Sequence, residues 1–472
     1  MTASSRLFLI ELRRSTALLA IPVLIGLALL AWYLFQQDEQ HVSYHWPDAS
    51  EDIGVAAIFL GPAAGGLAAW AAGRDRRHGL GDLLQTTPKP PISREINLLS
   101  ATTAWIVVAY AIAGLSLGVT TALKAAWGAP VLAPILIGLL AIAVQAAIGF
   151  AAGSFSASLV QSRLIAAIVP VLLFLAELVP VLIQGGVEQV GPNMRADTYP
   201  YENLSVVTVI QTLGGSIFWS PPTEIAWAAL AWLGGFGGLA LALILLRHRP
   251  SSVVAWGAIP LAVVAVVYGW TQLVPAPVVG DYSSSHAIAY EPVCVQRSIP
   301  ICVHPANESF LDETADLIDP VMRPLAGLPG APLRAEQIRE PKGGDLISLG
   351  SDSPDVVPAL PADAGTSYLS VATAAAVGAV RNASDDPFAV TPAQRAIATW
   401  LVRQAGWPDL DAPAEFVGMP GISSSTAYEQ AIADISLAAD RLGALSPAEQ
   451  QSWLEANLIA LRAGTLELED LP

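Results

Sequence analysis

The sequence predicts a polytopic α-helical membrane protein of about seven spans with a small α+β C-terminal domain. Three observations lead there. Residues 1–273 hold seven apolar runs, at 16–35, 53–72, 99–120, 132–153, 164–183, 225–246 and 253–273. Each is near the ~20 residues that cross a hydrocarbon core of about 30 Å. The mean hydropathy of +0.53 is high, and its excess lies in this half. Charge is divided as well: residues 1–273 carry 13 Lys and Arg against 14 Asp and Glu, whereas residues 274–472 carry 10 against 26. Nearly all of the net charge of −17 therefore follows the last apolar run.

The basic residues set the orientation. Arg6, Arg13 and Arg14 precede the first run, and Arg74, Arg76, Arg77, Lys89 and Arg94 follow the second. Arg163 follows the fourth, and Arg247 and Arg249 follow the sixth, so eleven of thirteen fall in alternate connections, leaving only Lys124 and Arg195. Basic residues resist translocation, which places the N-terminus inside. Seven crossings then put the C-terminal domain outside a cytoplasmic (plasma) membrane. An acidic outer domain argues against nucleic acid and anionic lipid as its partners. It fits either plain solubility or the handling of cationic material.

Residues 1–15 read as an interfacial helix burying Leu7, Phe8 and Leu12, with Arg6, Arg13 and Arg14 at the headgroups. The first span lacks a small-residue cleavage site and others follow, so it reads as an uncleaved anchor. His41 and His45 are four apart beside Asp38, Glu39 and Asp48, but His-Val-Ser-Tyr-His-Trp-Pro is a poor helix, which favours chance over a metal pair. Within the spans, Gln145 and Glu177 are the candidate intramembrane polar residues. Glu177 either faces a permeation path or, protonated, bonds a neighbouring helix. Gly65-Gly66 and the glycines at 234, 235, 237 and 238 allow close helix packing or a thin conduit wall, with packing favoured. The apolar stretch 204–213 is too short to cross and reads as a dip into the outer leaflet. Pro260 interrupts the seventh run without excluding a span, because neighbouring helices can satisfy the freed carbonyl.

The richest segment is 73–96. It opens with Arg74, Asp75, Arg76 and Arg77, continues through a short helical stretch with Leu80, Leu83 and Leu84, and ends at Thr87-Pro88 and Pro90-Pro91. Leucines for a groove and arginines for an acidic rim are what a helix docking on a soluble partner needs. The alternative is a basic loop that only obeys the positive-inside rule.

The runs LIELRRS at 9–15 and WAAGRDRRHGLGDLLQTTPKPPISREINLLSA at 70–101 resemble the membrane subunits of ABC-type exporters, in the class with six spans and an N-terminal interfacial helix. The resemblance covers roughly residues 1–250. It implies a six-span permease-like domain over 16–250 and a coupling helix, Arg74 to Leu84, seated on the ATPase. It also implies a second permease chain, identical or not, to complete a dimer. The class core lacks two features of this chain: a seventh span at 251–274 and an acidic domain at 275–472. No G-x-x-x-x-G-K-[ST] phosphate loop occurs, and Lys is confined to positions 89, 124 and 342. ATP would be bound by a partner subunit, and this chain is expected to bind no cofactor itself.

In the C-terminal domain, Cys294 and Cys302 are the only cysteines, set in an alternating segment that turns like a hairpin. A disulfide there would close a loop of about nine residues, worth about 2–3 kcal/mol. A free thiol pair or a zinc site with His304 are the alternatives, the latter lacking a fourth ligand. A helix is expected near Glu308–Arg323 and a strand at Leu346–Leu349. Three closing helices start at Thr391-Pro392, near Ser424 and at the capping box Ser446–Glu449. Trp400, Leu401, Trp453, Leu454, Leu458 and Leu461 form the expected core.

No H-E-x-x-H, no G-x-S-x-G and no zinc spacing occurs, so no catalytic or metal residue is nominated. The leading expectation is a permease subunit of an ATP-driven exporter that is not itself an enzyme. The competing one is a membrane-anchored surface receptor whose outer domain binds a ligand without transport.

Overall fold

A computed structural model describes residues 3–35, 45–77, 90–125, 127–156, 162–188, 209–210, 213, 217–220, 223–274, 286–339, 345–350, 356–358, 391–406 and 425–472. The chain divides into two compact units, one running to Ile288 and the other from Ala289 to Pro472.

The first unit is helical: α1 (Ala3–Arg14), α2 (Ala17–Phe35), α3 (Trp46–Val55), α4 (Ala57–Ala72), the short α5 (Arg74–Arg77), α6 (Pro91–Lys124), α7 (Leu132–Ser156), α8 (Ser162–Glu188), α9 (Thr223–His248) and α10 (Val253–Leu273). Among the described residues, five helices are long and apolar enough to cross a membrane. They are Trp46–Ala72 (α3 with α4), α6, Leu132–Phe155 of α7, α9 and α10. A sixth arises if α1 and α2, bent by 63° against each other, count together. The run expected at 164–183 falls in α8, whose described apolar core is the shorter Leu164–Leu178. The expected span at 253–273 is α10, helical straight through Pro260. It leaves Val253, Leu261 and Val264 65–83% exposed, an apolar surface suited to lipid.

Small residues set how these helices pack. On α7, a Cβ at Gly138 would lie 2.7 Å from Gly54 O, at Gly149 2.1 Å from Gly65 O, and at Gly153 2.5 Å from Ala69 O. The partners keep a constant offset of 84 positions, so the second and fourth spans run parallel, as alternate crossings must. Backbone meets backbone here, which only glycine permits. Gly235 on α9 faces Ala262 O and Gly269 on α10 faces Ala228 O, the antiparallel register of a hairpin closed by the N-cap Ser252. Packing is thus what Gly65 and Gly235 do. Val209, Ile210 and Leu213, from the stretch read as a dip, are buried in the same core; the other residues of 204–213 lie outside the described residues.

The first unit extends beyond the expected boundary at 275, because β2 (His286–Ala287) pairs with β1 (Trp219–Ser220).

The second unit builds a five-stranded sheet in the order β3 (Val293–Gln296), β4 (Pro300–Val303), β5 (Arg334–Arg339), β6 (Asp345–Gly350), β7 (Val356–Pro358). Only β4 and β5 run parallel, joined by a 3₁₀ turn (Pro305–Phe310) and α11 (Leu311–Met322). Three more helices follow: α12 (Pro392–Gln404), α13 (Ser425–Ala444) and α14 (Pro447–Arg462). Thr391 with Gln394, and Ser446 with Glu449, form complete capping boxes, each followed by proline in the first turn. One core joins sheet and helices: Ile301, Ile318, Met322, Trp400, Leu401, Leu442, Leu454, Leu458 and Leu461 are buried, with Trp453 packed against them.

Candidate functional site

The charged end of the first unit begins with α1. Leu7, Phe8, Glu11 and Leu12 share one face by helical spacing, and of these Glu11 is the buried one. Its carboxylate accepts two hydrogen bonds from Arg74, at 2.8 and 3.0 Å. This fork-on-fork pair fixes direction as well as attraction. The bonds to Glu11 raise the Arg74 pKa, outweighing the opposing effect of burial. The indole of Trp105 on α6 donates to Leu12 O at 2.7 Å, fastening the same turn of α1.

From Arg74 the contacts continue. Asp75 lies 3.7 Å from Arg74 and 3.4 Å from Arg94 on α6. Glu95, the next residue of α6, lies 3.6 Å from Arg247 and 2.9 Å from His248 at the end of α9. Helix α6 can reach this far because Pro91 starts it within its first turn, well before the apolar run. Its 34 residues span about 50 Å at 1.5 Å each, longer than the hydrocarbon core. A chain of alternating charges thus ties α1, α5, α6 and α9 together at one end of the bundle.

The residues expected to dock a partner divide here. Arg74 is turned inward onto Glu11. Arg77 stacks on the Trp70 ring at 3.8 Å and donates to Trp70 O at 2.6 Å, so it too is held by its own chain. Arg76 belongs to α5, but its side chain lies outside the described residues, as do Leu80, Leu83 and Leu84. Glu11, Asp75, Glu95 and His248 were not singled out from the sequence. The first was legible in hindsight as an acid on the apolar face of an amphipathic helix. The others needed the partner that folding brings.

The two intramembrane polar residues, by contrast, meet each other. Gln145 lies midway along α7, and its Nε2 donates to Glu177 Oε1 on α8 at 3.1 Å. Both are buried. A side chain at position 61 on α4 would collide with the Gln145 amide at 2.7 Å, so Gly61 makes the space for it. The bond joins α8 to α7. Gln145 Oε1 stays buried without a partner among the described residues.

In the second unit, Cys294 and Cys302 face each other across the β3–β4 hairpin and form a disulfide. His304 is fully buried; its Nδ1 accepts from Ala306 N–H, capping the 3₁₀ turn, and its ring packs on Tyr290. His45 pairs with Asp48 at 2.8 Å, while His41 and Asp38 lie outside the described residues. Among the described residues no group of three or more His, Cys, Asp or Glu could hold a metal.

No known protein family matches the chain, and no curated protein or solved structure is significantly similar to it.

Proposed function

We propose that this chain is the permease subunit of an ATP-driven ABC-type exporter in the plasma membrane, with its N-terminus inside and its C-terminal unit outside. A separate cytoplasmic ATPase would supply ATP hydrolysis, and a second permease chain would complete the transporter. The observation that carries the reading is the charge chain from Glu11 through Arg74, Asp75, Arg94 and Glu95 to Arg247. An ATPase that moved the segment after the second span would pull α1, α6 and α9 with it. A loop that merely joined two spans would need no such linkage. Three of the basic residues that fix the expected orientation, Arg74, Arg94 and Arg247, take part in it, which favours a cytoplasmic location for this end.

Mechanistically, partner closure on ATP displaces the loop, the linkage transmits that displacement to several spans, and the bundle alternates a path between leaflets. The glycine-bound pair α4–α7 would move as one body, since its backbones are interlocked.

The test is purification of the chain from its own cells and identification of any ABC-type ATPase that comes with it, followed by ATP hydrolysis of the wild type and of Arg76→Glu/Leu83→Glu. Association and hydrolysis that the double variant abolishes support the exporter. If the chain associates with no ATPase, the exporter reading is wrong and an anchored receptor remains.

A further inference from the structure

Helix α1 presents two unlike faces. Leu7, Phe8 and Leu12, the apolar residues expected to enter the membrane, are partly buried within the fold, beside the buried Glu11. Arg6, Leu9, Ile10, Arg13 and Arg14 recur at helical spacing on the opposite side, and all five are exposed, Leu9 at 39% and Ile10 at 49%. None of these three arginines has a hydrogen bond or ion pair among the described residues. The outward face therefore carries three cations around two apolar side chains and no acid, because Glu11, the one acid of α1, is turned inward onto Arg74.

The surroundings of this face suit one partner. Helix α1 bends 63° away from α2. With α2 crossing at the tilt of about 20° usual for spans, α1 lies well toward the membrane plane. Beyond the bend, Leu19 and Val23 of α2, four residues apart on one face, are 82% and 64% exposed, an apolar surface for acyl chains. Arginines at headgroup level with aliphatic side chains at the acyl boundary are what a helix in an anionic interface needs. A soluble acidic protein fits worse, since Leu9 and Ile10 lie among the arginines and the apolar surface continues along α2 into the bilayer.

We infer that the outward face of α1 is a docking surface for anionic phospholipid. The lipid phosphates sit on Arg6, Arg13 and Arg14, and the acyl chains lie along Leu9, Ile10 and the exposed side of α2. Lipid held there restrains α1, and the two bonds between Glu11 and Arg74 carry the restraint to α5. The inference concerns lipid alone, so it stands or falls apart from the permease reading.

The test uses the full chain in neutral detergent, without any ATPase, and phosphatidylglycerol labelled on one acyl chain. Phosphatidylcholine with the same label is the zwitterionic comparison. Each basic residue at an anionic surface strengthens binding about five-fold, so phosphatidylglycerol should bind about 100-fold more tightly than phosphatidylcholine. Arg6→Gln/Arg13→Gln/Arg14→Gln should remove that preference and leave phosphatidylcholine binding unchanged; all three positions are exposed, so the fold is kept. Glycerol phosphate, a headgroup anion without tails, should not displace the lipid even in large excess. Hydrogen exchange over Arg74–Arg77 should slow with phosphatidylglycerol in the wild type but not in Arg74→Gln. The inference is overturned if the two lipids bind alike or if the triple variant keeps the preference. Displacement by glycerol phosphate would also overturn it, giving the face to free anions, as would wild-type exchange over Arg74–Arg77 that is the same with both lipids.

Discussion

The Glu11–Arg74 pair offers the sharpest prediction about the first unit. The Glu11 side chain is 9% exposed and that of Arg74 30%. Exposed pairs contribute about 0–1 kcal/mol, whereas breaking a fully buried one costs about 3–5 kcal/mol. This pair lies between those limits, because water still reaches part of the guanidinium and limits the penalty of leaving it alone. Glu11→Gln and Arg74→Gln should each destabilise the unit by about 2 kcal/mol. The double variant should lose no more than the worse single one, since neither charge is then stranded. A double-mutant cycle, read by unfolding of the purified chain in detergent, isolates the coupling. Losses that simply add, or single losses below about 0.5 kcal/mol, would show that the pair does not hold α1 to the end of the second span.

Two further outcomes follow from the packing. Cys294→Ser/Cys302→Ser should lower the stability of the second unit by about 2–3 kcal/mol through the freed hairpin loop, read as a lower melting temperature; an unchanged melt would show that the hairpin is held by its sheet alone. Gly149→Ala places a methyl group 2.1 Å from Gly65 O, with backbone on the other side that cannot rotate away. The α4–α7 contact should lose about 1–3 kcal/mol, whereas Gly257→Ala, with nothing near its Cβ, should be neutral; equal losses would refute the close approach.

The legible parts of this protein share a cause. Apolar runs, capping boxes and the cysteine hairpin are written in consecutive residues. The cap at Thr391 and the box of Ser446 with Glu449 are local bonds that need no distant partner, and the structure has both. The hairpin too is short enough for Cys294 and Cys302 to meet by register alone. The charged end was read less well. Arg74 and Arg77 look alike in sequence to any basic loop residue, yet one grips Glu11, 63 positions away, and the other folds back on Trp70. Which arginine faces inward depends on where α1 lies after its 63° bend, a fact no window of sequence contains.

By itself the sequence determined that this is a helical membrane protein with an acidic C-terminal unit that carries both cysteines, because hydropathy, charge and short-range capping act over a few residues. Only the tertiary structure decided that Gln145 and Glu177 are partners, that glycines on α4 and α7 interlock in parallel, and that the end of the bundle is laced by one chain of charges. Those arrangements depend on contacts between helices distant in sequence, and a polar side chain carries no local mark of the neighbour that will satisfy it.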